Sequence, residues 1–135
     1  MDCNLSENFI TKIPPKFGFC FQNLRTLDLS DNRISSLPNE LIHCIKLLSV
    51  NISINSFVVF PTVLLKIESI TEIIAKNNFI ANIDDKSLKD HQNLQLVNLA
   101  QNPLDETTHQ SLKRLEKNRL IVTNRNTQDW EELST

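Results

Sequence analysis

The chain has 135 residues and a net charge of −2, with 40% apolar and 22% charged residues. This length and composition fit one folded domain and argue against a disordered chain. Because nucleic acid and anionic membrane surfaces both attract concentrated Lys and Arg, the charge balance argues against both as partners. The apolar runs are also too short to cross a bilayer, so we expect no membrane association.

The N-terminal segment has neither the basic flank nor the apolar run of an export signal. We therefore expect a cytoplasmic protein, and an odd number of cysteines suits a reducing compartment. No capping segment precedes the first strand predicted below. We expect the N-terminal edge either to fray, as it would in a shortened product of a longer protein, or to be covered by a second chain.

Five asparagines recur at nearly equal intervals, of which the first and last are one residue longer than the middle two: Asn8, Asn32, Asn55, Asn78 and Asn102. The positions five and three before each asparagine are apolar in nearly every repeat, as in Leu27 and Leu29. This pair predicts a short strand with both side chains pointing inward and its other residues pointing outward. One coil is too small to bury its own apolar side, so we expect the coils to stack with parallel strands. Each asparagine is predicted to bond backbone groups of adjacent coils.

The segments that return from one strand to the next carry a second apolar set. Nine residues after the asparagine, or ten in the fourth repeat, come Phe17, Leu41, Leu64 and Leu88. Twelve residues after it come Cys20, Cys44 and Ile67. These residues are expected to face the core from the convex side. Since Cys3 occupies a strand position, all three cysteines are expected to be buried and unreactive.

The second repeat resembles the leucine-rich-repeat consensus, because it reads Leu24-x-x-Leu27-x-Leu29-x-x-Asn32-x-Ile34-x-x-Leu37-Pro38. The apolar-proline step recurs at Ile13-Pro14 and Phe60-Pro61, and is similar to the 23-residue class of short intracellular repeat proteins, including the Ras-associated group. The fourth and fifth repeats depart from this step, with Ile83-Asp84 and Thr107. The resemblance covers residues 1 to about 117. It implies an α/β solenoid with a parallel concave sheet, a convex side of loops and 3-10 turns, and a helical cap at the C-terminus.

The C-terminal residues themselves also predict a helical cap. Residues 105–117 have helical spacing, and Asp105 or Thr107 is expected to cap the start of the helix. Residues 120–122 predict a last parallel strand, in which either Leu120 and Val122 or Ile121 and Thr123 point inward. We place the repeat domain at residues 1–123 and a polar tail at 124–135. In that tail, Trp130 is expected either to pack on the cap or to anchor a partner.

Residues two, four and six before each asparagine are predicted to line the concave face. Seven of them are our candidate partner-binding residues: Asp28, Asn51, Glu72, Ile74, Lys76, Leu96 and Asn98. Ile74 and Leu96 are apolar where water is expected, and they occupy diagonal positions on adjacent strands. Apolar side chains inside a polar rim are typical of protein interfaces.

The residue pattern does not predict a catalytic site. The three histidines fall in different repeats, and Gly18 is the only glycine, which excludes a glycine-rich phosphate loop. We expect no enzymatic activity, no cofactor and no metal. The resemblance implies a protein-interaction module or adaptor that binds a protein partner on its concave face. The alternative is a structural or assembly element that associates through the uncapped N-terminal end.

Overall fold

A computed structural model describes residues 1–115 and 120–123. Six strands form one parallel sheet in chain order: β1 (Asp2–Asn4), β2 (Thr26–Asp28), β3 (Ser49–Asn51), β4 (Glu72–Ile74), β5 (Leu96–Asn98) and β6 (Leu120–Val122). The strands stack in the register of the repeat, so Leu27 lies opposite both Cys3 and Val50. The expected α/β solenoid with a parallel sheet is confirmed. Within the described residues, none of the helices has the length and apolar character needed to span a membrane.

The convex side contains two kinds of helix. The first and fourth repeats have short α-helices, α1 (Lys16–Cys20) and α2 (Asp85–Asp90). The second and third repeats have 3-10 helices, η1 (Asn39–His43) and η2 (Thr62–Lys66). Each α-helical repeat is one residue longer than each 3-10 repeat. The longer repeats thus carry the α-helices, although α1, η1 and η2 each contain five residues.

A ladder of asparagines connects the coils through the core. Asn55 donates from Nδ2 to the Leu29 carbonyl oxygen of the preceding coil at 2.9 Å, and its Oδ1 accepts from the Ile34 N–H at 3.0 Å. The same pair of bonds to the preceding coil is made by Asn32, Asn78 and Asn102. Asn8 differs, because it is exposed and bonds only carbonyls of its own coil. The predicted ladder is therefore confirmed for four of the five asparagines.

The residue before each asparagine adopts a left-handed backbone conformation. The φ angles at these five positions lie between 55° and 60°: Glu7, Asp31, Ile54, Asn77 and Gln101. This turn directs the chain away from the sheet and brings the asparagine side chain under the preceding coil. A β-branched side chain is poorly suited to this conformation, so Ile54 holds a strained backbone.

The expectation that all three cysteines are buried is wrong for Cys20, which is exposed. In the longer first repeat the inward position moves one residue along, to Phe21, which packs partly buried against the core. Phe21 also contacts Phe17 one helical turn earlier, with ring centroids 4.6 Å apart. Cys44 is buried as predicted, whereas Cys3 is only partly buried.

Gly18 allows two neighbouring coils to approach closely. A Cβ atom placed on this residue would overlap the backbone carbonyl of Glu40 in η1. The Cys44 thiol also approaches Gly18, with its Sγ 4.0 Å from the Gly18 carbonyl oxygen. The first two helical segments therefore pack backbone against backbone, and only glycine fits at this point.

The C-terminal helix α3 (Glu106–Leu115) begins as predicted, with Asp105 as its cap. The Thr108 N–H donates to Asp105 Oδ1 at 2.8 Å, and this bond is the main reason that the pKa of Asp105 is lowered. Of the two registers left open for β6, the structure has Ile121 and Thr123 buried. Residues 116–119, which include the predicted end of the helix at 117, and residues 124–135, which include Trp130, lie outside the described residues.

Candidate functional site

Three rows are predicted to line the concave face, and the structure places two of them outward, at six and four positions before each asparagine. In the third row, two positions before it, Ser53 and Ala100 are buried. The row at minus six contains Asp2, Thr26, Ser49, Glu72 and Leu96, and the row at minus four contains Asn4, Asp28, Asn51, Ile74 and Asn98. The strand residues between them, such as Val50 and Ile73, are fully buried. Because side chains alternate along a strand, these two rows stand on the side of the sheet away from the core.

Polar residues in the row at minus four have a structural role as well as an exposed position. Asp28 Oδ1 accepts hydrogen bonds from the Ser30 N–H at 3.0 Å and from the Ser30 hydroxyl at 2.7 Å. Asn51 Oδ1 accepts from the Ser53 N–H, and Asn98 Oδ1 accepts from the Ala100 N–H, each at 3.0 Å. One oxygen of each side chain therefore fixes the turn that follows the strand, and only its remaining polar atom is available to a partner.

Four of the seven candidate residues line one shallow cavity of about 380 Å³: Asp28, Asn51, Glu72 and Ile74. The cavity also includes Asp2, Asn4, Thr26 and Ser49, which were not among the candidates. The other three candidates, Lys76, Leu96 and Asn98, are not part of its lining. Asp2 belongs there because it occupies the position six before Asn8, and the repeat spacing alone was sufficient to find it.

Ile74 and Leu96 are less exposed than their positions suggested. Both are half-buried, and the register places Ile74 opposite Asn98 and Leu96 opposite Glu72, so that the pair is diagonal as expected. Apolar side chains with a greater exposed fraction lie away from the strands, including Phe9 at 77%, Val59 at 73% and Ile45 at 66%. The consensus spacing does not specify these loop positions, so the sequence pattern offered no signal for them.

His91 occupies a convex core position that is apolar in the second and third repeats. Its Nδ1 accepts from the N–H groups of Asn93 and Leu94, at 3.2 and 3.0 Å. Its Nε2 lies 2.9 Å from the Ile67 carbonyl oxygen, to which it donates, since Nδ1 is the acceptor. A buried histidine thereby replaces the apolar residue by bonding the backbone of its own and the preceding coil.

The described residues contain no group of three side chains suited to hold a metal ion. Among the thiols, burial raises the pKa of both Cys3 and Cys44, which keeps them protonated and poorly nucleophilic. His43 stacks on Phe19 with ring centroids 4.3 Å apart, on the convex side of the solenoid.

Three features of this structure define a class of repeat solenoids. Each coil has one strand, the strands form a parallel sheet in chain order, and each stacked coil has a buried asparagine. The family model described as "Leucine rich repeat" matches residues 3–57. The same hydrogen-bond pattern continues to Asn102. The chain therefore has the leucine-rich-repeat solenoid fold, and its first repeats match the family model.

Three solved structures resemble this chain over most of its length. A leucine-rich-repeat protein of Leptospira interrogans has a TM-score of 0.73 and 20% identity, and the match covers 90% of this chain and 36% of that one. An internalin of Listeria monocytogenes has a TM-score of 0.71 and 18% identity, with 89% and 34% covered. The TLR13 chain of a TLR13–ssRNA13 complex has a TM-score of 0.74 and 23% identity, with 93% and 18% covered. At these identities the likeness shows the fold.

A curated relative, the adenylate cyclase of Schizosaccharomyces pombe, is 25% identical over 85 residues. The match covers 62% of this chain but 5% of the cyclase. This chain thus spans a small part of that relative and about a third or less of each solved structure. Leucine-rich-repeat solenoids commonly serve as protein-interaction modules, because stacked coils create an extended, rigid surface.

Proposed function

We propose that this chain is a non-enzymatic interaction module, a cytoplasmic adaptor that binds a protein partner on its concave face. The observation that carries the proposal is the shallow cavity over β1 to β4, in which polar side chains of consecutive strands lie beside Ile74 on β4. Its backbone is held by the continuous sheet and by the asparagine ladder, so binding would require little ordering of the surface. A preorganised surface loses less entropy when it binds.

The environments of the nucleophilic side chains support a non-enzymatic role. The pKa of the Cys44 thiol is raised by burial, and His91 is engaged with backbone groups through both ring nitrogens. Catalytic pairs place a nucleophile within hydrogen-bond reach of a base that is free to accept its proton. The match to an adenylate cyclase covers too little of that protein to suggest the same activity here.

We also propose a protein partner in preference to nucleic acid, although one structural neighbour was solved with single-stranded RNA. Asp2, Asp28 and Glu72 all line the concave cavity. Their carboxylates would repel a phosphate backbone, whose binding depends on Lys and Arg contacts.

The test is affinity capture from cell lysate with the parent chain and with an Ile74→Asp, Leu96→Asp variant. We expect the variant to lose the specific partners of the parent, because it replaces the two apolar residues of the face on β4 and β5 by charges. A matched control, Ile45→Asp with Val59→Asp, introduces the same charges at more exposed positions outside the strands. If the face variant captures the same partners as the parent, the concave face is not the binding site.

An assembly element that associates through the N-terminal edge is the second candidate. Leu29 and Ile34 in the second coil are fully buried, whereas Leu5 and Ile10, their equivalents in the first coil, are only partly buried. Partly exposed apolar residues beside an edge strand favour pairing with another chain. Light scattering over a range of concentrations tests this candidate, which requires a dimer that a Leu5→Asp variant cannot form. A monomer at every concentration would exclude self-association.

A further inference from the structure

The concave face has an uneven distribution of charge. Asp2, Asp28 and Glu72 lie on β1, β2 and β4, and all three line the same cavity. Among the described residues of the three predicted rows, Lys76 is the one basic side chain, and it follows β4. The cavity is therefore acidic. Ile74 lines it on β4, and Leu96 lies beside it on β5.

Two of the three carboxylates are held in place by neighbouring residues of the sheet. Thr26 Oγ1 donates to Asp2 Oδ1 at 2.6 Å, which links β1 to β2. Asp28 Oδ1 accepts from the Ser30 N–H and hydroxyl, so its second oxygen has a restricted orientation. Charged groups that are already oriented lose less freedom when they pair with a partner.

Ser53 provides an observation independent of the charges. In the row at minus two, the Ser6 and Ser30 hydroxyls donate to the side-chain oxygen two residues earlier, at 2.6 and 2.7 Å. Ser53 belongs to the same row and is 7% exposed, but its Oγ has no hydrogen-bond partner among the described residues. An unpaired buried hydroxyl is costly in the free protein. By analogy with Ser6 and Ser30, a rotation would bring this hydroxyl to Asn51, which lines the cavity, where it can bond the Asn51 oxygen or a partner group.

We propose that the partner of this face is a protein segment that presents Lys or Arg side chains over β1 to β4 and an apolar side chain against Ile74 and Leu96. This inference rests on the proposed function and specifies the chemistry of its partner. Basic side chains are complementary to the carboxylates of Asp2, Asp28 and Glu72, and such complementarity accelerates encounter and selects between partners. The six strands span roughly 24 Å at the usual strand spacing, which about eight extended residues cover.

The test is an NMR titration of the isotope-labelled chain with two synthetic peptides of about ten residues, sized from the same strand spacing. Both contain a leucine and neutral polar residues, and they differ only in carrying three lysines or three glutamates. We expect the lysine peptide to shift the amide signals of Thr26, Asp28, Ser49 and Asn51, and the glutamate peptide to leave them unchanged. The Ser53 amide is expected to shift with them.

Charge reversal provides the decisive comparison. An Asp28→Lys, Glu72→Lys variant should bind the lysine peptide about tenfold more weakly and should gain affinity for the glutamate peptide. A Glu68→Lys, Asp90→Lys variant has the same net charge but changes exposed residues away from the concave face. It should bind as the parent does.

Three results would overturn the inference: no shift with the lysine peptide, equal shifts with both peptides, or equal effects of the two reversals. The last result would mean that only net charge attracts the peptide. These outcomes differ from a failure of the proposed function. If the concave face binds no partner, the Ile74→Asp, Leu96→Asp variant keeps every captured partner. If only the assignment of charge is wrong, that variant still loses its partners.

Discussion

Replacing Asn55 by alanine tests whether the asparagine ladder holds the solenoid together. The side chain is buried in the middle repeat and bonds the Ile34 N–H and the carbonyl oxygens of Leu29, Ile52 and Ser53. Its removal therefore affects one donor and three acceptors. These groups do not contribute equally to the expected loss of stability, because the acceptors have other partners.

Each of the three carbonyl oxygens keeps another donor in the variant. Leu29 still accepts from Asn32 Nδ2, Ile52 from Asn78 Nδ2, and Ser53 from the Asp31 N–H. The Ile34 N–H has no other acceptor among the described residues. One buried N–H left unpaired costs about 1–3 kcal/mol, so we expect the free energy of unfolding to fall by that amount.

Chemical denaturation measures this change, and Asn8→Ala is the matched control. Asn8 occupies the same position in the first repeat but is exposed and bonds only its own coil, so its loss should be below about 0.5 kcal/mol. Equal losses for the two variants would refute the argument, because they would show that the bonds to the preceding coil contribute nothing.

An Asn55→Asp variant separates the donor role from the acceptor role. One carboxylate oxygen can still accept from Ile34, but the other would face the three carbonyl oxygens that Nδ2 now bonds. The buried charge raises the pKa of the introduced aspartate above its value in the unfolded chain. We therefore expect a greater loss of stability than with alanine at neutral pH, and a partial recovery as the pH falls and the carboxylate is protonated.

Three further predictions concern single residues. Gly18→Ala should lower the free energy of unfolding by about 1–3 kcal/mol, because its Cβ meets backbone, whereas Lys16→Ala in the same helix should have little effect. Ile54→Asn should raise the free energy of unfolding by about 1 kcal/mol, because asparagine tolerates a φ of 55° and the isoleucine side chain is half-exposed. An unchanged melting temperature would show that the backbone at this residue is not strained. Iodoacetamide should modify Cys20 in the native protein but reach Cys44 only after unfolding, as mass spectrometry of the labelled peptides can show; equal rates would contradict the burial of Cys44.

The asparagine ladder fixes the positions of the residues on the concave face. The ladder bonds each coil to the one before it, so the outward residues of neighbouring strands are held in fixed rows. Asp28 and Asn51 extend this arrangement, because each also closes the turn that follows its strand. A substitution at either residue is therefore expected to affect stability as well as binding, so the free energy of unfolding of the Asp28→Lys, Glu72→Lys variant should be measured beside its binding.

The repeat itself could be predicted from the sequence alone. Asparagines at nearly equal intervals, with an apolar pair before each, determine which side chains point inward and that the strands stack in parallel. The cap at Asp105 was also predictable, because an N-cap bond depends on residues only three apart. The same alternation identified the rows of the concave face, and extending the spacing to the first repeat would also have located Asp2, which was not among the candidates.

Only the tertiary structure decided how the convex side packs. The first and fourth repeats have one additional residue and an α-helix in place of a 3-10 helix. The inward position then moves one residue along, from Cys20 to Phe21 in the first repeat and to His91 in the fourth. The greater length of these two repeats was visible in the sequence, but its consequence depends on how adjacent coils fit. In the same way, the half-buried state of Ile74 and the orphaned hydroxyl of Ser53 depend on neighbouring coils. The spacing of residues specifies the direction of a side chain, whereas its burial and bonding depend on atoms that are distant in the chain.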